Sequence, residues 1–220
     1  MLHRDISPNN LMWAPGGSDG ARVERTCYTK QQGQPSGDVG YLIDLDFAAI
    51  VEAGTAEQIG VDDVAHTLAL PFLAIDHLPP DTFIDAQSPL TPITPGHHIY
   101  RHDLESFFWS LWWILLKEVR DQRADFEIDQ LFLHWQSPNL GENRVSKSGF
   151  LVRSEGWSKT VSRRLWQQHK HCAKMEGFLI SISETFRLGY RALEQGDDYM
   201  TAGGYITFNN FTGAFPRNDR

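Results

Sequence analysis

Two residues five apart near the start of the chain, within HRDISPNN, bear oxygen donors suited to catalysis: the carboxylate of Asp5 and the amide of Asn10. A second carboxylate, Asp44, directly follows the apolar run Tyr41-Leu42-Ile43. An ionised carboxylate held beside a hydroxyl can accept or orient its proton. A neutral amide oxygen next to another carboxylate makes a donor set for a hard divalent cation such as magnesium. The plainer reading makes Asp5 and Asp44 turn residues, because aspartate is common in turns.

To serve one reaction these groups need a scaffold that folds them together, and the flanking sequence supplies its parts. Leu11 to Trp13 is a short apolar run bounded by Asn-Asn and Ala-Pro-Gly-Gly, which reads as a strand. Residues 14–38 are rich in Gly, Pro, Ser, Gln and charge, and read as a long solvated insertion. Tyr41 to Ile43 then forms a second strand, so a small hairpin would hold Asn10 and Asp44 at its open end. Residues 48–100 are punctuated by proline, as in PFLAIDHLPPD and SPLTPITPGHH, with one short helical turn expected near Leu73 to His77. His97 and His98, beside Gly96, are expected in a loop.

From Arg101 the pattern becomes helical. Leu104, Phe107, Phe108, Leu111, Trp112, Leu115 and Leu116 keep the i, i+3, i+4 spacing. Trp109, Trp113 and Ile114 add apolar groups to the other faces, so this central helix, 102–118, should be surrounded by protein. The tryptophans read as core packing. Further helices are expected near Phe126 to Trp135, Ser158 to Lys174 and Phe178 to Glu194, completing one domain over 1–195. Residues 196–220 carry glycine, asparagine and isolated aromatics without a helical period, and are expected to be a flexible tail.

Composition narrows the function. Hydrophobic content of 41% and charged content of 22% are those of an ordinary globular protein. A net charge of −8 argues against nucleic acid as a partner. The longest apolar run, Phe107 to Leu116, is far short of the roughly 20 residues a membrane helix needs, so no membrane association is expected. No apolar segment of signal-peptide type follows the charged start, which points to the cytoplasm or nucleus. The two cysteines, Cys27 and Cys172, are far apart, in keeping with a reducing compartment. His169, His171 and Cys172 invite a metal reading, but positions i and i+2 on a helix point apart, so a solvated face is expected.

The opening matches the pattern His-Arg-Asp, four residues, Asn, which is that of a protein kinase catalytic loop. LIDLDFA, LPFLAID and HDLESFFW follow in the order in which kinases place the metal aspartate, the end of the activation segment and the start of the large central helix. The chain resembles the fungal-type protein kinase family, most specifically over residues 2–120. That resemblance implies a fold that is mainly α with a small β-hairpin: a protein-kinase-like C-terminal lobe with its N-terminal lobe absent. It also implies ATP and Mg2+ as cofactors, and a protein Ser/Thr hydroxyl as acceptor. Asp5 would take or orient the hydroxyl proton, Asn10 and Asp44 would hold the metal, and His3 would pack its ring under the loop. Asp103 would accept backbone N–H bonds from the catalytic loop, beside its plainer role as a helix-capping acid. Thr55 and Thr67 fall in the activation-segment-like stretch 44–78, where a phosphate could reach Arg4.

The sequence departs from the general kinase pattern at several points. Ser7 stands where a lysine is usual, although the fungal-type pattern also has serine; Asp46 replaces a glycine, and Asp76 replaces a glutamate that would pair with an arginine, here Arg187 or Arg191. No glycine-rich phosphate loop or Val-Ala-Ile-Lys-like strand is found, so a truncated kinase with weak or absent turnover is expected. The alternatives are a non-catalytic module that regulates a partner kinase, and a kinase-like small-molecule phosphotransferase. Arg4 and LPFLAID favour the protein kinase over the latter.

Overall fold

The computed structural model describes residues 2–14, 39–44, 48, 57–58, 70–78, 97–122, 125–168 and 175–214. It is mainly helical. Strands β1 (Leu11–Ala14) and β2 (Val39–Leu42) form the expected antiparallel hairpin, in a register that sets Leu11 opposite Leu42. A second two-stranded pair, β3 (Glu57–Gln58) with β4 (His97–His98), was not expected, because neither segment shows strand alternation. His98 therefore lies in a bridge rather than a loop. Short 3-10 turns occupy Pro8–Asn10, Leu70–Phe72 and Ile75–His77.

The helices are α1 (Tyr100–Gln122), α2 (Phe126–Trp135), α3 (Leu140–Val152), α4 (Ser154–Gln168), α5 (Met175–Glu194) and α6 (Phe208–Gly213). Helix α1 is the axis of the molecule. Its Phe108, Trp109, Trp112, Leu116 and Val119 are fully buried. Around them lie Trp135 of α2, Phe150 of α3, Val161 of α4 and Phe186 of α5. The rings meet edge to face, with Trp109 and Trp135 centroids 5.2 Å apart and Trp112 and Phe150 4.9 Å apart. Such contacts add about 0.5–1.5 kcal/mol each beyond the area they bury. Helix α1 is thus packed on most of its circumference, but the expectation of full enclosure fails at Ile114, which is 46% exposed, and Trp113 is only half-buried. No helix among the described residues is long and apolar enough to cross a membrane.

Helix α3 has no clear apolar period because its buried stripe is partly polar. Asn143, Lys147, Phe150 and Leu151 follow helical spacing and are all buried, yet the first two are an amide and an amine. Each donates to a main-chain oxygen: Asn143 Nδ2 to Trp135 O at 2.6 Å, and Lys147 Nζ to Leu73 O at 2.5 Å, while Asn143 Oδ1 is buried without a hydrogen-bond partner.

The expectation of a loosely packed tail fails for residues up to 214. Ala202 and Ile206 enter the core at 0% and 2% exposure. Ile206 lies so close to Gly189 of α5 that a Cβ there would meet its Cγ1 at 2.7 Å. The Asp198 carboxylate accepts the Met200 and Thr201 N–H groups, and the Thr207 hydroxyl caps α6 by accepting from Asn210 N. Two isolated aliphatic anchors and two caps, rather than a helical stripe, hold this segment. Ile206→Ala should therefore lower unfolding free energy by about 2–4 kcal/mol in urea titrations, as for a core deletion; a loss under about 0.5 kcal/mol would mean the segment is not docked.

Candidate functional site

The stretch HRDISPNN is pinned from below by one carboxylate. Asp103, in the first turn of α1, accepts the His3 N–H at Oδ2 (2.7 Å) and the Arg4 N–H at Oδ1 (3.0 Å). Its Oδ1 also receives His98 Nε2 at 2.8 Å. Leu2 and Ile6 anchor either side of the loop, at 2% and 3% exposure. Burial alone would raise the Asp103 carboxyl, but the His98 bond and the two amides hold it below the usual carboxylate range. The expected contact between this helix-start acid and the loop backbone is thus present.

His3 ties the loop to the second strand. Its Nδ1 accepts the Asp5 N–H at 3.3 Å, which leaves Nε2 to carry the proton and donate to Ile43 O at 3.0 Å. The ring is buried, as expected of it. The Ile43 N–H in turn donates to Asn10 O at 2.9 Å. Asp44 follows directly and is exposed. Arg4 (φ 68°) and Asp44 (φ 62°) both occupy the left-handed region. That conformation costs a non-glycine residue on the order of 1 kcal/mol or more, and it persists where the surroundings over-determine it. Asp103 on Arg4 N–H and His3 on Ile43 O supply that constraint.

Asp5 and Asn10 are joined directly. Asn10 Nδ2 donates to Asp5 O at 2.8 Å and to Asp5 Oδ2 at 3.0 Å. With its nitrogen committed to Asp5, the oxygen Oδ1 is the part of the amide suited to a cation. The structure therefore couples Asp5 to Asn10 by side chain and brings the Asp44 backbone alongside through β1–β2. Beside the loop, an open groove of about 620 Å3 runs between Pro8 and Asn9 on one side and Pro71, Phe72 and Trp113 on the other.

Asp76 has a different partner from the one expected. Its carboxylate pairs with Arg101, two residues before Asp103, and His102 Nε2 lies 3.8 Å away. Arg187 instead bonds Glu184 within its own helix, with Nε donating to Oε2 at 2.6 Å. The shorter aspartate reaches the residue packed directly beneath it, not one on α5. Burial would raise its carboxyl; His102 and the Arg101 guanidinium hold it far below the usual range. Arg101 is itself fixed by donating Nε to Tyr199 O at 2.8 Å. Deeper still, Glu105 accepts the Ile75 N–H and Trp109 Nε1, each at 2.8 Å, and the Tyr190 hydroxyl. Burial pushes the Lys147 amine down to about 7, with Glu105 opposing the shift.

Sequence reasoning did not find the group His77, His98 and His102, whose ring nitrogens lie within 4.8 Å of one another. The four-residue spacing of His98 and His102 at a helix start was the available signal. Asp46, Thr55, Thr67, His169, His171 and Cys172 lie outside the described residues.

The family described as fungal protein kinase matches residues 1–115, more than half of the chain. The chain belongs to the fungal protein kinase family. The family match takes in the loop, the hairpin, the Asp76–Arg101 pair and most of α1, while Lys147, Tyr190 and Tyr199, which brace them, lie beyond it. No curated protein and no solved structure matches the chain.

Two measurements check this construction. Asp103→Ala leaves the His3 and Arg4 amides without their acceptor and should cost about 3 kcal/mol or more, with hydrogen exchange at those amides rising toward loop rates; unchanged protection would refute the clamp. The second concerns pH. Burial, reinforced by the neighbouring His98, lowers His77 from 6.5 to about 3. A depressed folded-state value means the unfolded chain binds the proton more readily, so this stability is present above pH 6.5 and is lost as pH falls toward 3. At pH 5 the loss should be on the order of 2 kcal/mol, read as a falling urea midpoint. A midpoint flat from pH 7.5 to 5 would contradict it.

Proposed function

We propose that this fold is the C-terminal lobe of a protein serine/threonine kinase, and that its site serves transfer of the ATP γ-phosphoryl group to a protein hydroxyl. The observation that carries the reading is the Asn10–Asp5 bond, set in a loop whose backbone Asp103 holds. Asp5 takes or orients the acceptor hydroxyl proton while that oxygen bonds to the γ-phosphorus. The bond from phosphorus to the β–γ bridging oxygen breaks, and ADP leaves. Asn10 fixes the Asp5 carboxylate through its nitrogen, and its oxygen is the donor left for a cation.

The donor set fits Mg2+. Asn10 Oδ1 and the Asp44 carboxylate are hard oxygen ligands, and the Asn10 nitrogen is already turned to Asp5. Bound there, Mg2+ would neutralise charge on the phosphate oxygens. The groove bounded by Pro8, Asn9 and Phe72 suits the polypeptide that presents the hydroxyl. Catalysis of this kind is mostly positioning and electrostatics, of which Asp5, Asn10 and Asp44 supply three groups, and turnover by the chain alone is expected to be weak.

Nucleotide binding is the sharper test. ATP with Mg2+ should raise the unfolding midpoint of the 220-residue chain, approaching about 2.7 kcal/mol of stabilisation at a hundredfold excess over Kd. ATP without Mg2+ should do much less, and Asp44→Ala should abolish the shift. A midpoint indifferent to Mg2+-ATP, together with no transfer of labelled phosphate to a mixed peptide library, would reject the proposal.

A further inference from the structure

Behind the loop, on the side of Asp103 away from Asp5, three imidazoles meet that phosphoryl transfer does not use. His77 ends the turn Ile75–His77, His98 ends β4, and His102 stands in the first turn of α1. His98 and His102 are buried, and His77 is half-buried. The segment that delivers His77 is held firmly: Glu105 accepts the Ile75 N–H, and Arg144 Nη1 donates to Ile75 O at 3.0 Å and Leu78 O at 2.6 Å. The three rings converge from three elements: the 75–77 turn, β4 and the start of α1.

We propose that His77, His98 and His102 form a site for a divalent transition-metal ion, Zn2+ first among them, that clamps the 70–78 segment to the start of α1. His98 gives its Nε2 proton to Asp103, so its Nδ1 carries the lone pair and faces the cluster. His77 Nε2 lies 3.2 Å from that Nδ1. Two nitrogens bound to one tetrahedral Zn2+ at 2.0–2.1 Å sit about 3.3 Å apart, so the spacing is already that of neighbouring ligands. Without the ion the same spacing is a hydrogen bond from His77 Nε2–H. On binding, that proton moves to the other nitrogen of His77 and the ring stays neutral.

Second partners of the kind that orient ligating histidines are also present: Asp103 backs His98, and Asp76 Oδ2 and the Tyr199 hydroxyl lie 3.8 Å and 3.4 Å from His102 Nε2. Without the ion His102 Nδ1 accepts the Ile99 N–H at 3.3 Å, and on binding that lone pair turns to the metal instead. Asp76 and Asp103 against Arg101 leave the surroundings one negative charge to offset the cation. All-imidazole donors select zinc, copper or nickel over Mg2+ or Ca2+, which prefer oxygen. Three protein ligands leave a fourth position for water.

The test uses the full chain, stripped with chelator and returned to metal. One equivalent of Zn2+ should stay bound through gel filtration in excess Mg2+, and Co2+ should give the intense visible bands of a four-coordinate site. His77→Gln should weaken Zn2+ binding about 100-fold or more. Asp44→Ala, which removes the proposed magnesium ligand, should leave Zn2+ affinity unchanged while losing the Mg2+-ATP shift, so the two sites fail or stand separately. Where His77→Gln does not fold, the wild-type stoichiometry and Co2+ spectrum decide alone. No retained Zn2+, an octahedral Co2+ spectrum, or equal affinity in a folded His77→Gln would overturn the proposal.

Discussion

The Asp103 carboxylate is the contact on which this architecture turns. A charged group buried at the start of an apolar helix is costly unless every lone pair is used. Here the loop amides of His3 and Arg4 and the imidazole of His98 use them. The requirement works in both directions. The loop takes its shape because the carboxylate needs donors, and the carboxylate tolerates burial because the loop offers them. Together with the buried Leu2 and Ile6, this group places Asp5 and Asn10 relative to the helical body.

From there the site extends by main-chain relays. His3 spans from Asp5 to Ile43, Ile43 returns to Asn10, and Asn10 closes on Asp5. The ring of contacts fixes backbone on both sides of the hairpin and leaves Asp44 exposed at its rim. Two residues in left-handed conformation are held within it. The exposed acid is thus carried at the edge of a stretch of backbone held on both sides.

Legibility from sequence followed the chemistry of each element. The hairpin, the central helix and the segment Phe126–Trp135 could be read because their apolar residues keep the period of the structure they form. The spacing of Asp5, Asn10 and Asp44 could be read because it is local or ends a strand. Helix α3 could not, since Asn143 and Lys147 fill half its buried stripe and hide the period. The partner of Asp76 was misassigned because reach depends on which residue lies beneath it, a matter of packing between 76 and 101 that no spacing encodes. The segment 197–214 was underrated because two aliphatic anchors give no periodic signal. The histidine group escaped for the same reason as the Asp76 pair: His77 joins the others only after the chain folds back on α1.

The grip of α3 on the 70–78 segment has a consequence of its own. Asn143 donates to Leu70 O, Lys147 to Leu73 O, and Arg144 to Ile75 O and Leu78 O. Every acceptor is a carbonyl, so the helix reads the path of the strand of chain beside it and is blind to which amino acids travel along it. Substitutions along 70–78 that keep its main-chain path leave these four bonds in place, whereas changes to the three donors do not. A segment held this way can change its sequence while keeping its course along α3.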